Sequence, residues 1–372
     1  MKILHVIDSG GIYGAEVMLL NLMEEQKKNH LDTSLLSIEA PDSSGTDSLT
    51  AEAQRRGLHV ERFNSNRGYS LRSAVRIWRY VEDNHVDIVH SHGYKGDILL
   101  CSIPRYFRKK PVISTLHGWL STRIFKKIWL YTQLDKLFLR RMDAIIHVNT
   151  VGKPIGKVDS FVVENGIPAL KFTPDNMICH DDPLRIFSEN SFVIGCISRL
   201  SEEKGLKYLI EAVSLLCKRD VPVKAILIGD GPQRTFLEEL INKNNLQDKI
   251  IIAGYRENAH KYLTLFDVFV LPSLTEGLPI TILEAMQAQV PIVATRVGGI
   301  PKALEDGKFG ILTETGNSGS IAQAVEHLYS NPHIGRTMGR HARESALMKY
   351  SSSRMAEEYT RIYEVVCKKW KQ

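Results

Sequence analysis

Short apolar runs alternate with helical patterns along the first half of the chain. Runs rich in β-branched residues predict strands at Lys2–Ile7, Thr33–Ile38, Asp87–His90, Pro111–Thr115 and Ala144–Val148. Between these runs, apolar residues recur at helical spacing, as in Glu16–Glu25 and Ser70–Asp83. Strands that alternate with helices indicate a parallel sheet covered by helices on both faces.

The pattern pauses and then restarts in the second half. The stretch Lys171–Asn190 has two prolines and no clear periodicity, so we interpret it as an interdomain linker. Beyond it, strands are predicted at Phe192–Ile197, Lys224–Ile228, Lys249–Ala253, Val268–Leu271 and Ile292–Ala294, and helices at Gly205–Lys218, Arg234–Asn244 and Pro279–Gln287. The fold class predicted is therefore α/β, with two Rossmann-like doubly wound domains, residues 1–175 and 190–351, that face each other across a cleft.

The amphipathic segment 352–372 is predicted to be a helix. It either caps the second domain or crosses back to brace the first.

Composition is that of a globular enzyme. The chain has 372 residues, 43% of them hydrophobic and 24% charged, which is enough for two hydrophobic cores. The start, MKILHVIDSGG, is too short and polar for a signal peptide, and we find no run of 18 uncharged apolar residues. We therefore expect a cytoplasmic protein. The five scattered cysteines lack metal-ligand spacing and are expected to be reduced thiols.

The net charge of +6 is concentrated in one stretch. Between Cys101 and Arg141, ten Lys and Arg residues stand against a single acid, Asp135, which implies an anionic partner. Basic side chains mix with aromatic ones in Arg105–Arg141 and again in Arg72–Arg79, which includes Trp78. This mixture suits an anionic membrane surface, but it equally fits helices whose apolar sides pack on their own sheet.

The segment DVFVLPSLTEGLPITILEAM contains the principal candidate site. A predicted strand ends at Leu271, and Gly277–Pro279 opens a helix whose unpaired N–H groups favour an anion. Two acids beside that anion, Glu276 and Glu284, make sense if they accept hydrogen bonds from sugar hydroxyls. The plainer alternative is a capping acid and a solvated helical glutamate.

Two cations follow the first strand of the second domain. Arg199 and Lys204 could neutralise a diphosphate and activate it as a leaving group without a metal, or they could be ordinary surface cations.

Polar residues also end the strands of the first domain. His117 follows the fourth strand and is either a site residue or a structural histidine. His90 and His92 resemble a metal pair, but no third ligand is apparent, so a cleft-lining role is preferred. The turn Ser9–Gly14 resembles a phosphate-binding turn, although Ser9 replaces the first glycine of GxGxxG and Glu39 would have to serve as the acid.

Taken together, the motifs resemble those of family 4 glycosyltransferases over almost the whole chain. Glu276 and Glu284 match the E-x7-E pattern of retaining enzymes with the GT-B fold. The accompanying motifs are Gly10-Gly11, Thr115–Gly118, Asn165–Ile167, Ser198–Leu200, Lys204-Gly205, Gly229–Pro232 and Val297–Pro301. Pro168 and Lys302 stand where this family usually has acids.

The resemblance implies a role for each matching residue. Arg199 and Lys204 would hold the donor diphosphate, Glu276 the sugar hydroxyls and Glu284 the ribose. The donor site would comprise Gly10, Gly11, Arg199, Lys204, Gly254, Tyr255, Arg256, Glu276, Gly277, Leu278, Pro279 and Glu284. His117 would sit near the reacting sugar and complete a catalytic set with Glu276, Arg199 and Lys204.

The resemblance also implies the reaction. A hexose would pass, with retention, from a UDP- or GDP-sugar to a glycan or lipid-linked acceptor in bacterial cell-surface polysaccharide, lipopolysaccharide or glycolipid synthesis. No metal or cofactor is expected, and the enzyme would be cytoplasmic or peripheral on the inner face of the plasma membrane.

Other classes of protein fit less well. A dehydrogenase would need a true dinucleotide fingerprint, and no nucleic-acid-binding module is visible, so no nucleic-acid partner is expected. A sugar-nucleotide epimerase or hydrolase of the same fold, or a sugar-nucleotide-binding protein without activity, stays open as an alternative.

Overall fold

The computed structural model divides the chain into two compact units. The residues that it describes are 1–8, 11–12, 14–39, 49–64, 70–117, 137–148, 155–172 and 178–372. The first unit comprises Met1–Gly166 together with Ser352–Gln372, and the second comprises Ile167–Ser351.

The first unit is built on a seven-stranded parallel sheet. Its strands are β1 (Lys2–Asp8), β2 (Asp32–Glu39), β3 (His59–Asn64), β4 (Ile88–Ser91), β5 (Val112–Leu116), β6 (Ala144–His147) and β7 (Asp159–Val162). Helices α1 (Gly14–Lys28), α2 (Leu49–Arg55), α3 (Leu71–Asp83) and α4 (Tyr94–Cys101) and a 3-10 turn (Arg105–Phe107) connect them. The strand order is β3-β2-β1-β4-β5-β6-β7.

The second unit contains a six-stranded parallel sheet. Its strands are β8 (Phe192–Ile197), β9 (Val223–Ile228), β10 (Ile250–Gly254), β11 (Val268–Leu271), β12 (Ile292–Thr295) and β13 (Ile311–Thr313), in the order β10-β9-β8-β11-β12-β13. Its helices are α5 (Pro183–Ser188), α6 (Leu206–Cys217), α7 (Arg234–Lys243), α8 (Ile280–Gln287), α9 (Ile300–Ala303), α10 (Ser318–Ser330) and α11 (Pro332–Lys349), with 3-10 turns at Glu202–Lys204, Ala259–Leu265 and Glu305–Gly307.

Both sheets are doubly wound, so the predicted α/β fold class is confirmed. In the first sheet the strand order reverses between β1 and β4, and in the second it reverses between β8 and β11. Ligands of such sheets bind outside the carboxyl ends of the strands at the point of reversal. The functional groups of each unit are therefore expected at that edge.

The stretch 171–190, interpreted above as a linker, belongs to the second unit. The carboxylate of Asp182 caps helix α5 and also accepts a hydrogen bond from the hydroxyl of Tyr262 (3.1 Å). Side-chain hydrogen bonds therefore tie this stretch to the rest of the unit. The predicted limits at 175 and 190 thus both fall inside the second unit.

The end of the chain returns to the first unit as helix α12 (Ser352–Trp370). This helix packs on α1, and the hydroxyl of Ser352 donates to Oε1 of Glu25 (3.1 Å). Tyr359 and Tyr363 lie on its inner side and are fully buried. Of the two placements considered for 352–372, the structure shows the return to the first unit.

Candidate functional site

An ion pair at the reversal point of the second sheet joins two of the predicted site residues. Nζ of Lys204 donates to Oε1 of Glu276 at 2.6 Å, and the hydroxyl of Ser273 donates to the same oxygen at 2.7 Å. Only 8% of the Glu276 side chain and 22% of the Lys204 side chain are exposed. An ammonium group has three donors, so Lys204 can still bind an anion while it holds Glu276.

Close backbone approaches hold the loop of Glu276 against the neighbouring loops on both sides, those that follow β8 and β12. Gly205 has a φ of 63°, and a Cβ there would lie 2.3 Å from the carbonyl oxygen of Pro272. Gly298 has a φ of 56°, and its Cβ would lie 2.0 Å from the carbonyl oxygen of Glu276. Glycine is required at both positions because any side chain would collide with backbone. The carboxylate of Glu276 is therefore positioned from two sides.

The second acid of the E-x7-E motif has different surroundings. Glu284 lies in α8 and is half-buried, and burial raises the pKa of its carboxyl to about 7. Among the described residues, its carboxylate has no hydrogen-bond partner. A partly desolvated carboxyl without a partner is costly, and hydroxyl groups of a ligand would satisfy it.

The other predicted donor residues lie along the same edge. Arg199 follows β8 and is exposed, while Gly277 to Pro279 lead into α8. Gly254 ends β10 with a φ of 72°, and Tyr255 and Arg256 follow it on the surface. Strand β9 separates β10 from β8, so Tyr255 and Arg256 lie further along the edge than the Lys204–Glu276 pair.

A cluster of histidines occupies the reversal point of the first sheet. His5 on β1, His90 on β4 and His92 just beyond β4 are buried, and His117 at the end of β5 is half-buried. Nδ1 of His5 lies 2.9 Å from Nε2 of His92, and Nδ1 of His92 lies 3.3 Å from Nε2 of His117. The cleft-lining role preferred for His90 and His92 is wrong, because the two residues are only 0% and 4% exposed.

The cluster also supplies the third potential ligand that the sequence did not reveal. One nitrogen from each of His5, His90 and His92 lies within 4.8 Å of the others. Strand register explains the grouping, since His5 pairs with His90 and side chains of one face recur every second residue. His90 and His92 are two residues apart, and so are Thr115 and His117. This spacing is the sequence feature that could have indicated a polar face of the sheet.

Burial keeps these histidines uncharged at neutral pH. It lowers the pKa of both His5 and His117 to about 4. It also lowers the pKa of His90 and His92 well below the usual value, and the neighbouring histidines lower them further. Each ring therefore offers one N–H donor and one bare nitrogen acceptor.

Only part of the glycine turn after β1 can be described. Gly11 has a φ of 153°, a value that glycine adopts more readily than other residues. Gly10, predicted to approach the donor with Gly11, lies outside the described residues.

The basic stretch divides into internal and surface cations. Arg108 is only 2% exposed and donates to the carbonyl oxygen of Arg141 (2.7 Å), so it is structural. Trp78, expected with Arg72–Arg79 at a membrane surface, is 8% exposed and donates its indole N–H to the carbonyl oxygen of Leu100. Both residues were wrongly included in the predicted surface. Residues 118–136, which carry Arg123, Lys126 and Lys127, lie outside the described part of the chain.

Several basic and apolar groups are nevertheless exposed. Arg72, Arg76 and Arg79 are on the surface of α3, beside Leu71 (68% exposed) and Val75. The 3-10 turn after α4 exposes Tyr106 (91%) and Phe107 (68%).

A cavity of about 310 Å³ also lies in the first unit, near the end of α12. It is lined by four cations, two acids and Trp370: Arg105, Arg140, Lys157, Lys369, Asp143 and Asp159. Arg105 and Lys369 pair with Asp143 and Asp159, whereas Arg140 and Lys157 have no acidic partner among the described residues.

Within the described residues, no helix is both long enough and apolar enough to cross a membrane.

Two protein families match the chain, one in each unit. The family described as "Glycosyltransferase Family 4" matches residues 12–151, and "Glycosyl transferases group 1" matches residues 184–345.

Individual proteins resemble most of the chain. N-acetyl-alpha-D-glucosaminyl L-malate synthase of Bacillus anthracis is 30% identical over 308 residues, which is 79% of either chain. UDP-Gal:alpha-D-GlcNAc-diphosphoundecaprenol alpha-1,3-galactosyltransferase of Escherichia coli is 26% identical over 268 residues, 68% of this chain and 69% of that one. The crystal structure of Anabaena Alr3699/HepE in complex with UDP-glucose superimposes with a TM-score of 0.85 at 21% identity, covering 98% of this chain and all of the other.

Proposed function

The chain belongs to the family 4 glycosyltransferases and has their GT-B fold, and we propose the following reaction for it. A hexose passes from a UDP- or GDP-sugar to a glycan or lipid-linked acceptor, with retention at the anomeric carbon. The product belongs to a bacterial cell-surface polysaccharide, lipopolysaccharide or glycolipid. The observation that best supports this proposal is the Lys204–Glu276 ion pair at the strand reversal point, with Glu284, which has no partner among the described residues, on the helix that follows.

In the proposed complex, cations and carboxylates divide the donor between them. Lys204 and Arg199 bind the diphosphate, and the backbone of Gly277 and Leu278, leading into α8, contributes N–H groups. Glu276 accepts hydrogen bonds from the sugar hydroxyls, and Glu284 accepts them from the ribose. Gly254, Tyr255 and Arg256 border the base, while Gly10 and Gly11 allow the donor to lie close to the backbone.

The proposed chemical step is a front-side displacement. The acceptor oxygen forms a bond to the anomeric carbon on the face from which the diphosphate leaves, so the configuration is retained. The bond from the anomeric carbon to the phosphate oxygen breaks, and that oxygen takes the proton of the acceptor hydroxyl. Lys204, Arg199 and the N–H groups near Gly277 stabilise the negative charge that develops on the leaving group.

We propose that this step needs no metal, since the two cations and the helix end supply the positive charge. Transfer should then persist in excess EDTA. A loss of activity that Mg²⁺ or Mn²⁺ restores would contradict this part of the proposal.

A thermal-shift panel of UDP-, GDP- and ADP-sugars, followed by a transfer assay, tests the donor class. Ligand that binds the native state raises its melting temperature, so the correct nucleotide should stabilise the protein and the others should not. Incubation of that donor with an acceptor extract should release the nucleoside diphosphate. Release of free sugar, or epimerisation without an acceptor, would support the rival epimerase or hydrolase instead.

We further propose that the first unit docks on an anionic membrane. Three exposed arginines and two exposed apolar side chains share α3, and Tyr106 and Phe107 project from the turn after α4. Aromatic and basic groups together suit the interface of an anionic bilayer. The cavity lined by Arg140 and Lys157, which have no acidic partner in the part of the chain that the structure describes, would accept a lipid phosphate. The remaining alternative is that these charges are merely solvated.

Co-sedimentation with vesicles tests the docking proposal. The wild type should sediment with anionic vesicles and much less with neutral ones, and the double change Tyr106→Ser with Phe107→Ser should reduce binding. Phe236→Ser with Met348→Ser removes two exposed apolar side chains from the second unit and is the matched control. Equal, negligible binding of the wild type to both kinds of vesicle would refute docking.

A further inference from the structure

The buried histidines of the first unit belong to one continuous chain of hydrogen bonds. From His117 the chain passes through Nδ1 of His92 (3.3 Å) and Nδ1 of His5 (2.9 Å) to Oε1 of Gln26 (2.9 Å). From Nε2 of Gln26 it continues to the hydroxyl of Tyr363 (3.3 Å).

The second branch begins at Tyr363. Its hydroxyl lies 2.8 Å from Nδ1 of His90, and Nε2 of His90 lies 2.7 Å from the hydroxyl of Thr115. Thr115 in turn lies 3.1 Å from the hydroxyl of Tyr359. Tyr359 and Tyr363 lie one turn apart on α12, so this C-terminal helix takes part in the hydrogen-bond network.

The orientation of the Gln26 amide determines which atom donates in each hydrogen bond of the branch through His5, His92 and His117. Nε2 of Gln26 donates to Tyr363, so its Oε1 faces His5. An amide oxygen can only accept a hydrogen bond. His5 must therefore carry its proton on Nε2, and its bare Nδ1 accepts from Nε2 of His92. The same logic places the proton of His92 on Nε2.

This series of hydrogen bonds ends at His117, which is partly exposed at the surface of the unit. Nδ1 of His92 accepts from Nε2 of His117, so the remaining nitrogen of His117, Nδ1, is bare. Among the described residues this Nδ1 has no hydrogen-bond partner, and His117 is only half-buried. Burial lowers the pKa of every histidine in the network, which is consistent with neutral imidazoles.

We propose that Gln26, His5, His92 and Tyr363 are positioning residues that fix His117 as its Nε2–H tautomer and present its Nδ1 as a hydrogen-bond acceptor for a substrate hydroxyl. The proposal deepens the proposed function and rests on it for the identity of the substrate. A histidine tautomer is set by the hydrogen bond that its other nitrogen makes. If the hydrogen bonds ran in the opposite direction, Nδ1 of His117 would carry the proton and would donate to the substrate hydroxyl. The fixed direction of the network excludes this alternative.

A metal site at His5, His90 and His92 would be incompatible with this arrangement. Both ring nitrogens of each of these residues already take part in hydrogen bonds of the network. A metal would have to displace at least one bond from each ring. We therefore expect no stoichiometric binding of Zn²⁺, whereas tight binding of one Zn²⁺ that His90→Ala abolishes would overturn the proposal.

Two tyrosine variants form a matched test. Tyr359→Phe and Tyr363→Phe each remove one hydroxyl from a fully buried ring of α12. Loss of the Tyr363 hydroxyl removes the acceptor that orients the Gln26 amide, so the amide can turn over and reverse the direction of the His5–His92–His117 branch. Loss of the Tyr359 hydroxyl removes only its hydrogen bond with Thr115, at the end of the branch through His90.

Nitrogen-15 NMR of histidine-labelled protein reports the tautomers directly. In the wild type, the resonances of His117, assigned with His117→Ala, should show the proton on Nε2 alone. Tyr363→Phe should populate the Nδ1–H form, and Tyr359→Phe should leave His117 unchanged. A wild-type proton on Nδ1, or equal changes in the two variants, would overturn the proposal. Gln26→Leu gives a second disruption of the same bond if Tyr363→Phe has too small an effect.

Transfer kinetics supply the functional arm. Tyr363→Phe should lower kcat/KM for the donor about fivefold, the worth of one hydrogen bond, while Tyr359→Phe should stay within about twofold of wild type. Full activity in Tyr363→Phe despite a changed tautomer would overturn the positioning role. If the wild type catalyses no glycosyl transfer but its tautomers are as expected, the proposed function fails and the tautomer assignment stands.

Discussion

At the scale of single residues, the two acids of the E-x7-E motif have unlike surroundings. Glu276 is held by Lys204 and Ser273, whereas Glu284 is half-buried and has no partner among the described residues. Their spacing and their place beside a helix end were visible in the sequence. The ion pair was not, because Lys204 lies 72 residues away and only the neighbouring positions of β8 and β11 bring it to Glu276.

Loss of either member of this pair should abolish most transfer. Lys204→Ala and Glu276→Ala should each lower kcat/KM about 100-fold or more, the effect of removing one preorganised group that stabilises developing charge. The matched control is the pair Arg219–Glu326, also 2.6 Å long, whose side chains are 38% and 37% exposed. Arg219→Ala should leave transfer within about twofold, because exposed pairs contribute little. Wild-type activity of Lys204→Ala would mean that the donor site is misplaced.

Glu284 should make stability depend on pH. Its folded-state pKa is raised to about 7 from an ordinary value near 4.5. Its contribution to stability is therefore fully present below pH 4.5 and is lost as pH rises through 7. Glu284→Gln should consequently gain stability relative to wild type between pH 5 and pH 8. Melting curves of both proteins across this range would measure the difference, and a constant difference would argue against a raised pKa.

At the scale of elements, strand prediction depended on continuous apolar runs. Strands β8 and β11 were predicted residue for residue, because both are buried on two faces. Strand β7 was missed because it is an edge strand whose residues alternate between partly buried and exposed. Strand β13 has only three residues, too few to show a period. The turn at Glu276–Pro279 lies between β11 and α8 as predicted, but the close backbone approaches of Gly205 and Gly298 depend on tertiary structure.

Gly298 should tolerate alanine far less well than a glycine of similar φ elsewhere in the unit. At Gly316 the φ is 73° and the nearest atom to a Cβ would be 3.4 Å away, so Gly316→Ala should cost only about 1–2 kcal/mol of backbone strain. Gly298→Ala adds a collision with the carbonyl oxygen of Glu276. We expect a larger loss in chemical denaturation and weaker donor binding. Equal losses in the two variants would show that the loops can separate without cost.

At the scale of the whole molecule, the sequence indicated two doubly wound units but not the path of the chain end. The amphipathic pattern of 352–372 showed that one side would be buried, and it fitted either unit. Its place is determined by partners far away in sequence, such as Gln26 and His90, which bond to Tyr363. Likewise, the histidine cluster could be assembled only when β1, β4 and β5 were known to be neighbours.

The buried side of α12 should be essential to the first unit. Tyr359→Ala should destabilise that unit by about 3–5 kcal/mol, as for other large buried aromatic residues. Val365→Ala on the same helix should cost less than about 0.5 kcal/mol, because Val365 is 43% exposed. Hydrogen exchange can follow the two units separately, and protection in the second unit should not change. A small effect of Tyr359→Ala would indicate that α12 is not part of the core.

The return of α12 has a consequence for biosynthesis. The first unit to leave the ribosome is incomplete until the last helix emerges, about 200 residues after Gly166, a wait of roughly 10–40 s at about 5–20 residues per second. All residues of the second unit leave the ribosome before α12 does. The second unit can therefore fold while the first unit still exposes the surface that α12 will cover. The part of the protein that is made first therefore completes its fold after the part that is made second.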